Sequence, residues 1–172
     1  MSAKPTKMLS EADGYALLRQ YDVPAPAFEI VQSPEDAAKA AASIGYPVVM
    51  KIVSPQIIHK SDAGGVIVGV KDDAAAKEAF DKIVANAKNY DASAEIKGVI
   101  VEEMAKPGLE LIVGGKIDPA FGRVLTFGLG GTMVEFHKDV GIRLLPASDE
   151  ELRSLIREIK GYTLIKGYRG DA

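Results

Sequence analysis

Gly45-Tyr46-Pro47-Val48-Val49-Met50-Lys51-Ile52-Val53, running through Ser54-Pro55 into Ile57-Ile58-His59-Lys60-Ser61-Asp62-Ala63-Gly64-Gly65-Val66, is the stretch that orients the whole chain. Gly45 and Pro47 stop a helix, and the residues that follow are apolar except for Lys51, the pattern of a buried strand. An ammonium in such a strand is costly unless its head reaches an anion or water. Two readings fit: a lysine projecting from a sheet onto phosphate oxygens, and an edge-strand lysine snorkelling to solvent. In the loop an imidazole, an ammonium, a hydroxyl and a carboxylate follow one another at His59, Lys60, Ser61 and Asp62, ahead of Gly64-Gly65. Glycine-rich turns present N–H groups to phosphate, and a histidine accepts phosphoryl groups or carries protons. The plainer reading is a polar turn between strands, with the glycines serving geometry alone.

Working outward, Ser10 caps a first helix whose Glu11 and Asp13 face the positive end of the dipole, with Ala16, Leu17 and Tyr21 at helical spacing. Val23-Pro24-Ala25-Pro26 ends it, and Phe28 to Val31 reads as a strand. Ser33-Pro34-Glu35-Asp36 opens a second helix, with Ala37, Ala38, Ala41 and Ala42 inward. Val66 to Val70 forms another strand. Asp72 caps a helix from Asp73 to about Asn89 that carries Ala76, Ala79, Phe80, Ile83, Val84 and Ala87 on one face, and Gly98 to Glu103 is a fourth strand. These elements make an α+β lobe over residues 1–104, leaving 105–172 as a second part.

In that second part Leu109 to Ile117 is an extended run, Asp118-Pro119 turns it, and Arg123 to Phe127 is a strand reaching Gly128-Leu129-Gly130-Gly131, where the backbone bends or is closely approached. Val134 to Phe136 and Ile142 to Leu145 read as short strands. Ser148-Asp149-Glu150-Glu151 caps an amphipathic helix with Leu152, Leu155, Ile156 and Ile159 inward, and the tail from Gly161 has little to bury.

With 21 basic and 24 acidic residues in 172 and a net charge of -3, there is no basic block to follow a phosphodiester backbone, which speaks against a nucleic-acid partner. The absence of cysteine excludes disulfides, thiolate nucleophiles and sulfur-ligated zinc. No apolar stretch approaches the ~18 residues of a membrane span, so a cytoplasmic protein without membrane contact is expected.

Further candidates are single residues. Glu102 and Glu103 close a strand where the halves join, a place for an adenine edge or ribose hydroxyls. Glu110, Asp118, Glu135 and Asp139 are acids of the kind that approach magnesium. Both a phosphate contact and a buried ion pair with Asp139 fit Arg143. His137 reads as a surface histidine.

The run from Gly45 to Pro55, together with His59-Lys60-Ser61-Asp62-Ala63-Gly64-Gly65, resembles the β subunit of ADP-forming acyl-CoA synthetases such as acetate–CoA ligase (ADP-forming). The likeness continues through Asp118-Pro119-Ala120-Phe121-Gly122, Phe127-Gly128-Leu129-Gly130-Gly131, Val134-Glu135, Asp139-Val140 and Arg143 to Tyr168-Arg169-Gly170. It implies an ATP-grasp fold, two α+β lobes around a nucleotide, with 105–172 as a partial second lobe. It also implies an α subunit or fused CoA-binding domain carrying a phosphorylated histidine, in a hetero-oligomer.

By that resemblance His59 relays a phosphoryl group to ADP. Lys51, Ser61, Gly64 and Gly65 bind nucleotide, with Glu102, Glu103 and Glu110 near the adenosine. Lys60, Asp62, Arg143, Gly130 and Gly131 contact phosphate or the partner. Family members usually continue into an Asp-x-Asn-Pro block that helps hold Mg2+, and that block is absent here, so the magnesium ligands are expected to be incomplete. Two alternatives remain: a nucleotide-sensing module of an acyltransferase-type regulator, and a succinyl-CoA synthetase-like β chain, against which the His-Lys-Ser-Asp-Ala-Gly-Gly string argues.

Overall fold

The computed structural model describes residues 9–131 and 139–167. The strand expected at Val134 to Phe136, Glu135, His137 and the Tyr168-Arg169-Gly170 segment lie outside those residues. The chain divides into two compact units, Met1–Lys106 and Pro107–Ala172.

In the first unit the elements run α1 (Glu11–Gln20), β1 (Phe28–Val31), α2 (Pro34–Ile44), β2 (Val48–Val53), β3 (Val66–Val70), α3 (Asp73–Tyr90) and β4 (Gly98–Glu103). Each longer helix starts where a side chain satisfies an otherwise free N–H: Ser33 accepts from Asp36, and Asp72 from Ala75. The strands form one sheet in the order β1-β4-β2-β3, every neighbouring pair antiparallel. Val48, Met50 and Ile52 from β2 and Val99 and Val101 from β4 enter a core with Ala37, Ala38, Ala40 and Ala41 of α2 and Ala76, Phe80 and Ile83 of α3. Each fully buried large aliphatic among them contributes about 1.5–3 kcal/mol. The alanine stripe of α2 differs by one position from the expected one. Ala40 is buried and Ala42 exposed, because the helix is rotated to meet both the sheet and α3.

Helix α1 departs further from the pattern in the sequence. Ser10 and Asp13 close a capping box at its start, yet the helix buries no residue. Leu17 and Tyr21, 44% and 74% exposed, face water. It is held instead by Tyr15 and Arg19 against the Phe28 ring (5.3 and 5.2 Å), by Arg19 donating to the Pro26 carbonyl at 2.9 Å, and by charged side chains described below.

The second unit is an antiparallel meander of β5 (Leu111–Asp118), β6 (Gly122–Leu129) and β7 (Val140–Leu144), followed by α4 (Asp149–Glu158) and the short α5 (Tyr162–Ile165). Leu155 of α4 and Ile159, just past its end, are buried with Val124 and Leu129, and Gly141 lets Leu155 approach β7. The tail buries more than expected. Gly161 is itself buried, packed on the Leu129 side chain so closely that a Cβ would meet it at 2.6 Å.

Candidate functional site

Lys51 lies on β2, an inner strand paired on both sides, which rules out the edge-strand reading. Its neighbours Met50 and Ile52 face the helices, so Lys51 projects from the opposite face of the sheet. On β4, Glu102 pairs in register with Val49, which puts its carboxylate diagonal to Lys51 on that same face. The two meet: Lys51 Nζ is 3.0 Å from each Glu102 oxygen.

Glu102 is only 7% exposed, and a buried carboxylate left alone would be strongly destabilising. Lys51 and the Tyr15 hydroxyl, at 3.1 Å, provide its partners.

Helix α1 adds a second carboxylate. Glu11 Oε1 accepts from Lys51 Nζ at 2.7 Å and from the Tyr15 hydroxyl at 3.1 Å, while Glu11 Oε2 accepts from Lys60 Nζ at 2.6 Å. Two ammonium groups, one from a strand and one from a loop, thus converge on one carboxylate. Burial alone would raise the Glu11 pKa, but the hydrogen bonds and charges of Lys51 and Lys60 outweigh it and bring it down to about 2. For Lys51 burial works downward, and its two carboxylate partners more than offset it, leaving the ammonium above its ordinary range. Burial and the adjacent carboxylates push the Tyr15 phenol well up, so it stays a neutral donor.

The loop after β2 stands beside this cluster. Glu11, Lys51, Ile58, His59, Lys60, Ser61, Asp62 and Val66 line an open depression of about 450 Å³, with His59, Ser61 and Asp62 exposed. The expectation that Gly64 and Gly65 present N–H groups to phosphate is not met. Gly64 N–H donates to the Ser61 carbonyl at 3.0 Å and Gly65 N–H to the Lys60 carbonyl at 2.8 Å, so both are occupied within the loop. Their role here is geometric: Gly64 has φ +60°, and a Cβ on Gly65 would lie 2.6 Å from Ile52 Cγ2. What the loop offers a ligand is side chains.

Of the other candidates in this unit, Glu103 is turned to the strand end, where it accepts from Ala27 N–H at 3.2 Å. A larger open depression of about 770 Å³, bordered by Phe80, Val84, Lys88 and Lys97, contains none of the candidate residues.

In the second unit Glu110 and Gly130-Gly131 come together: Gly130 N–H donates to the Glu110 carbonyl at 2.7 Å, and Gly131, at φ +64°, lies against the Glu110 carboxylate. Of the two readings of Arg143, the ion pair with Asp139 does not form. Arg143 pairs with Glu158 of α4 and reaches Ser154 at 3.2 Å, because β7 faces that helix. Asp139 instead accepts the N–H groups of Lys160 and Gly161 at 2.8 and 2.7 Å, closing the end of α4. Asp118 accepts the N–H groups of Ala120 and Phe121 in its turn. Among the described residues no three histidine or acidic side chains converge as a metal-binding group, and no helix is long and apolar enough to cross a membrane.

Sequence reasoning missed Glu11 and Tyr15 as members of the site. Their four-residue spacing on one helix face was the available signal, but Glu11 also read as an ordinary first-turn acid.

The whole chain, residues 1–172, matches the ATP-grasp domain family. It is 51% identical over 163 residues to the 4-hydroxybutyrate–CoA ligase (ADP-forming) of Nitrosopumilus maritimus, a match covering 95% of this chain and 23% of that one. It is 49% identical over 163 residues to the acetate–CoA ligase (ADP-forming) I subunit beta of Pyrococcus furiosus, covering 95% of this chain and 70% of that subunit. Among solved structures it is similar to the dinucleotide forming acetyl-coenzyme A synthetase 1 of Ca. Korarchaeum cryptofilum in complex with coenzyme A, Ca-AMPCP and HgCl+. That likeness has a TM-score of 0.88 at 41% identity and covers 93% of this chain and 70% of that one. Another structure of that synthetase holds coenzyme A and Mg-AMPPCP, with its phosphohistidine segment pointing towards the nucleotide binding site; the TM-score is 0.80 at 38% identity, over 95% of this chain and 69% of that one. The chain therefore spans less than a quarter of the N. maritimus ligase and about two thirds of the others. The α+β architecture and these relatives place the chain in the ATP-grasp domain family, among the relatives of the β subunits of ADP-forming acetate–CoA ligases.

Proposed function

We propose that this chain is the nucleotide-binding, phosphoryl-transferring part of an ADP-forming acyl-CoA synthetase, working with an α subunit or fused domain that brings a phosphorylated histidine. The observation that carries this reading is the meeting of Lys51 and Lys60 on one carboxylate, 2.7 and 2.6 Å away, beside the exposed His59. A pair of ammonium groups that grips a carboxylate suits phosphate oxygens equally well. The donor set therefore fits the phosphates of ADP or ATP.

Phosphoryl transfer needs charge placed around the moving group more than it needs covalent help. Lys51 and Lys60 hold the nucleotide's phosphates and offset the charge spread over the transferred group. His59 takes the phosphoryl group from the partner's phosphohistidine as that P–N bond breaks, and releases it to a β-phosphate oxygen of ADP. Ser61 and Asp62 border the same depression and orient what enters it. Glu110 with Gly130-Gly131 is the candidate contact on the second unit. Magnesium enters through the Korarchaeum synthetase's Mg-AMPPCP; with no converging ligand group among the described residues, no step is assigned to it.

Calorimetric titration with ADP tests the reading. Lys51→Ala and, on the loop, Lys60→Ala should each weaken binding about tenfold or more, about 1.4 kcal/mol. Lys88→Ala, at the other depression, should leave binding unchanged. Equal affinity in all four proteins would remove the nucleotide from this site.

A further inference from the structure

We infer that the Glu11 carboxylate is a built-in stand-in for a phosphate, and that nucleotide binding exchanges it for a phosphate group and releases helix α1 from the sheet. This rests on the reading of Lys51 and Lys60 as phosphate-binding groups.

Three observations carry it. The first is geometric: each oxygen of Glu11 takes one ammonium, so the carboxylate sits where a phosphate bridging Lys51 and Lys60 would have to sit.

The second is charge. Lys51 and Lys60 are balanced by Glu11 and Glu102, so the cluster is neutral as it stands and offers an incoming polyanion no net attraction. One carboxylate has to leave for the lysines to serve a phosphate. Glu102 is fixed on the inner strand β4 and buried. Glu11 is on α1.

The third is the attachment of that helix. With no residue of α1 buried, undocking forfeits little apolar contact beyond the Tyr15 and Arg19 stacking on Phe28. Its strongest ties are the hydrogen bonds from Lys51 and Lys60 to Glu11 and from Tyr15 to Glu102. A phosphate competes for the two lysines directly. The ligand thus replaces the two lysine ties to Glu11, leaving Tyr15 on Glu102 and Arg19 on the Pro26 carbonyl and Phe28 to hold the helix, so docking of α1 and binding of nucleotide oppose each other.

The test uses the 172-residue chain, with ADP calorimetry beside hydrogen exchange of the α1 amides. Glu11→Gln removes the competing charge and should bind ADP about fivefold or more tighter than wild type. Ser10→Ala loosens the cap of α1 without touching either lysine, and should also tighten ADP binding, by about two- to fivefold. In the wild type, ADP should speed exchange along α1 while leaving β2 and β4 protected. Weaker or equal ADP binding in both variants, or slower exchange in α1 on adding ADP, would overturn the inference while the Lys51→Ala effect still upheld the nucleotide site. Loss of the Lys51→Ala effect as well would sink both.

Discussion

Replacing Lys51 by methionine isolates the electrostatic core of the site. The substitution keeps the unbranched stem of the side chain, one atom shorter, and removes its charge, leaving Glu102 at 7% exposure with the Tyr15 hydroxyl as its remaining polar partner. Removing one member of a buried pair costs about 3–5 kcal/mol. The lower end applies here, because the Lys51 side chain keeps about a fifth of its surface in water and Tyr15 stays bonded. A loss of about 3 kcal/mol, with a urea slope of about 2 kcal/mol per molar, lowers the midpoint by about 1.5 M. Adding Glu102→Gln removes the stranded charge while keeping an acceptor for Tyr15, and the double variant should recover at least half of the loss. Urea unfolding followed by far-ultraviolet circular dichroism reads all four members of the cycle. A single-variant cost below about 0.5 kcal/mol, or strictly additive effects in the double variant, would refute the assignment of Lys51 and Glu102 as a mutually dependent pair.

The low pKa of Glu11 predicts an acid-sensitive contribution. Its folded value of about 2 lies below the ordinary 4.5, so the stabilisation is complete above pH 4.5 and disappears as pH falls through about 2, at most about 3 kcal/mol in size. Wild type should therefore exceed Glu11→Gln in stability at neutral pH and converge on it across that window; a difference independent of pH would refute this. In the second unit Asp139→Ala deprives the N–H groups of Lys160 and Gly161 of their acceptor and should cost about 1–3 kcal/mol. An unchanged thermal midpoint would show that water replaces the carboxylate there.

Local features were legible in the sequence because they obey local rules. Ser10, Ser33 and Ser148 cap helices as their neighbours suggest, and the interruption of an apolar strand by Lys51 marked the site. What escaped depends on contacts between distant residues. Glu11 meets Lys51 forty positions away, and nothing in the spacing of either residue specifies the other. Arg143 offers the same lesson, since it pairs with Glu158 through the packing of α4 on β7 rather than with the nearer Asp139. The role given to Gly64 and Gly65 failed for a related reason. A glycine pair signals close approach or unusual backbone, and only the folded loop shows that its N–H groups are already bonded.

The diagonal placement of Lys51 and Glu102 also bears on how the chain selects its strand alignment. Val99, Ile100 and Val101 of β4 are all fully buried, so both faces of this strand are apolar and hydrophobicity alone discriminates poorly between alignments one residue apart. In a slipped pairing Glu102 would turn into the helix-covered core, on the face away from Lys51. The ion pair makes that misalignment costly and so acts as a key for the native pairing of β2 with β4. A sheet carrying leucine at both positions would keep its burial and lose that discrimination, misfolding more often during synthesis even where its equilibrium stability is undiminished.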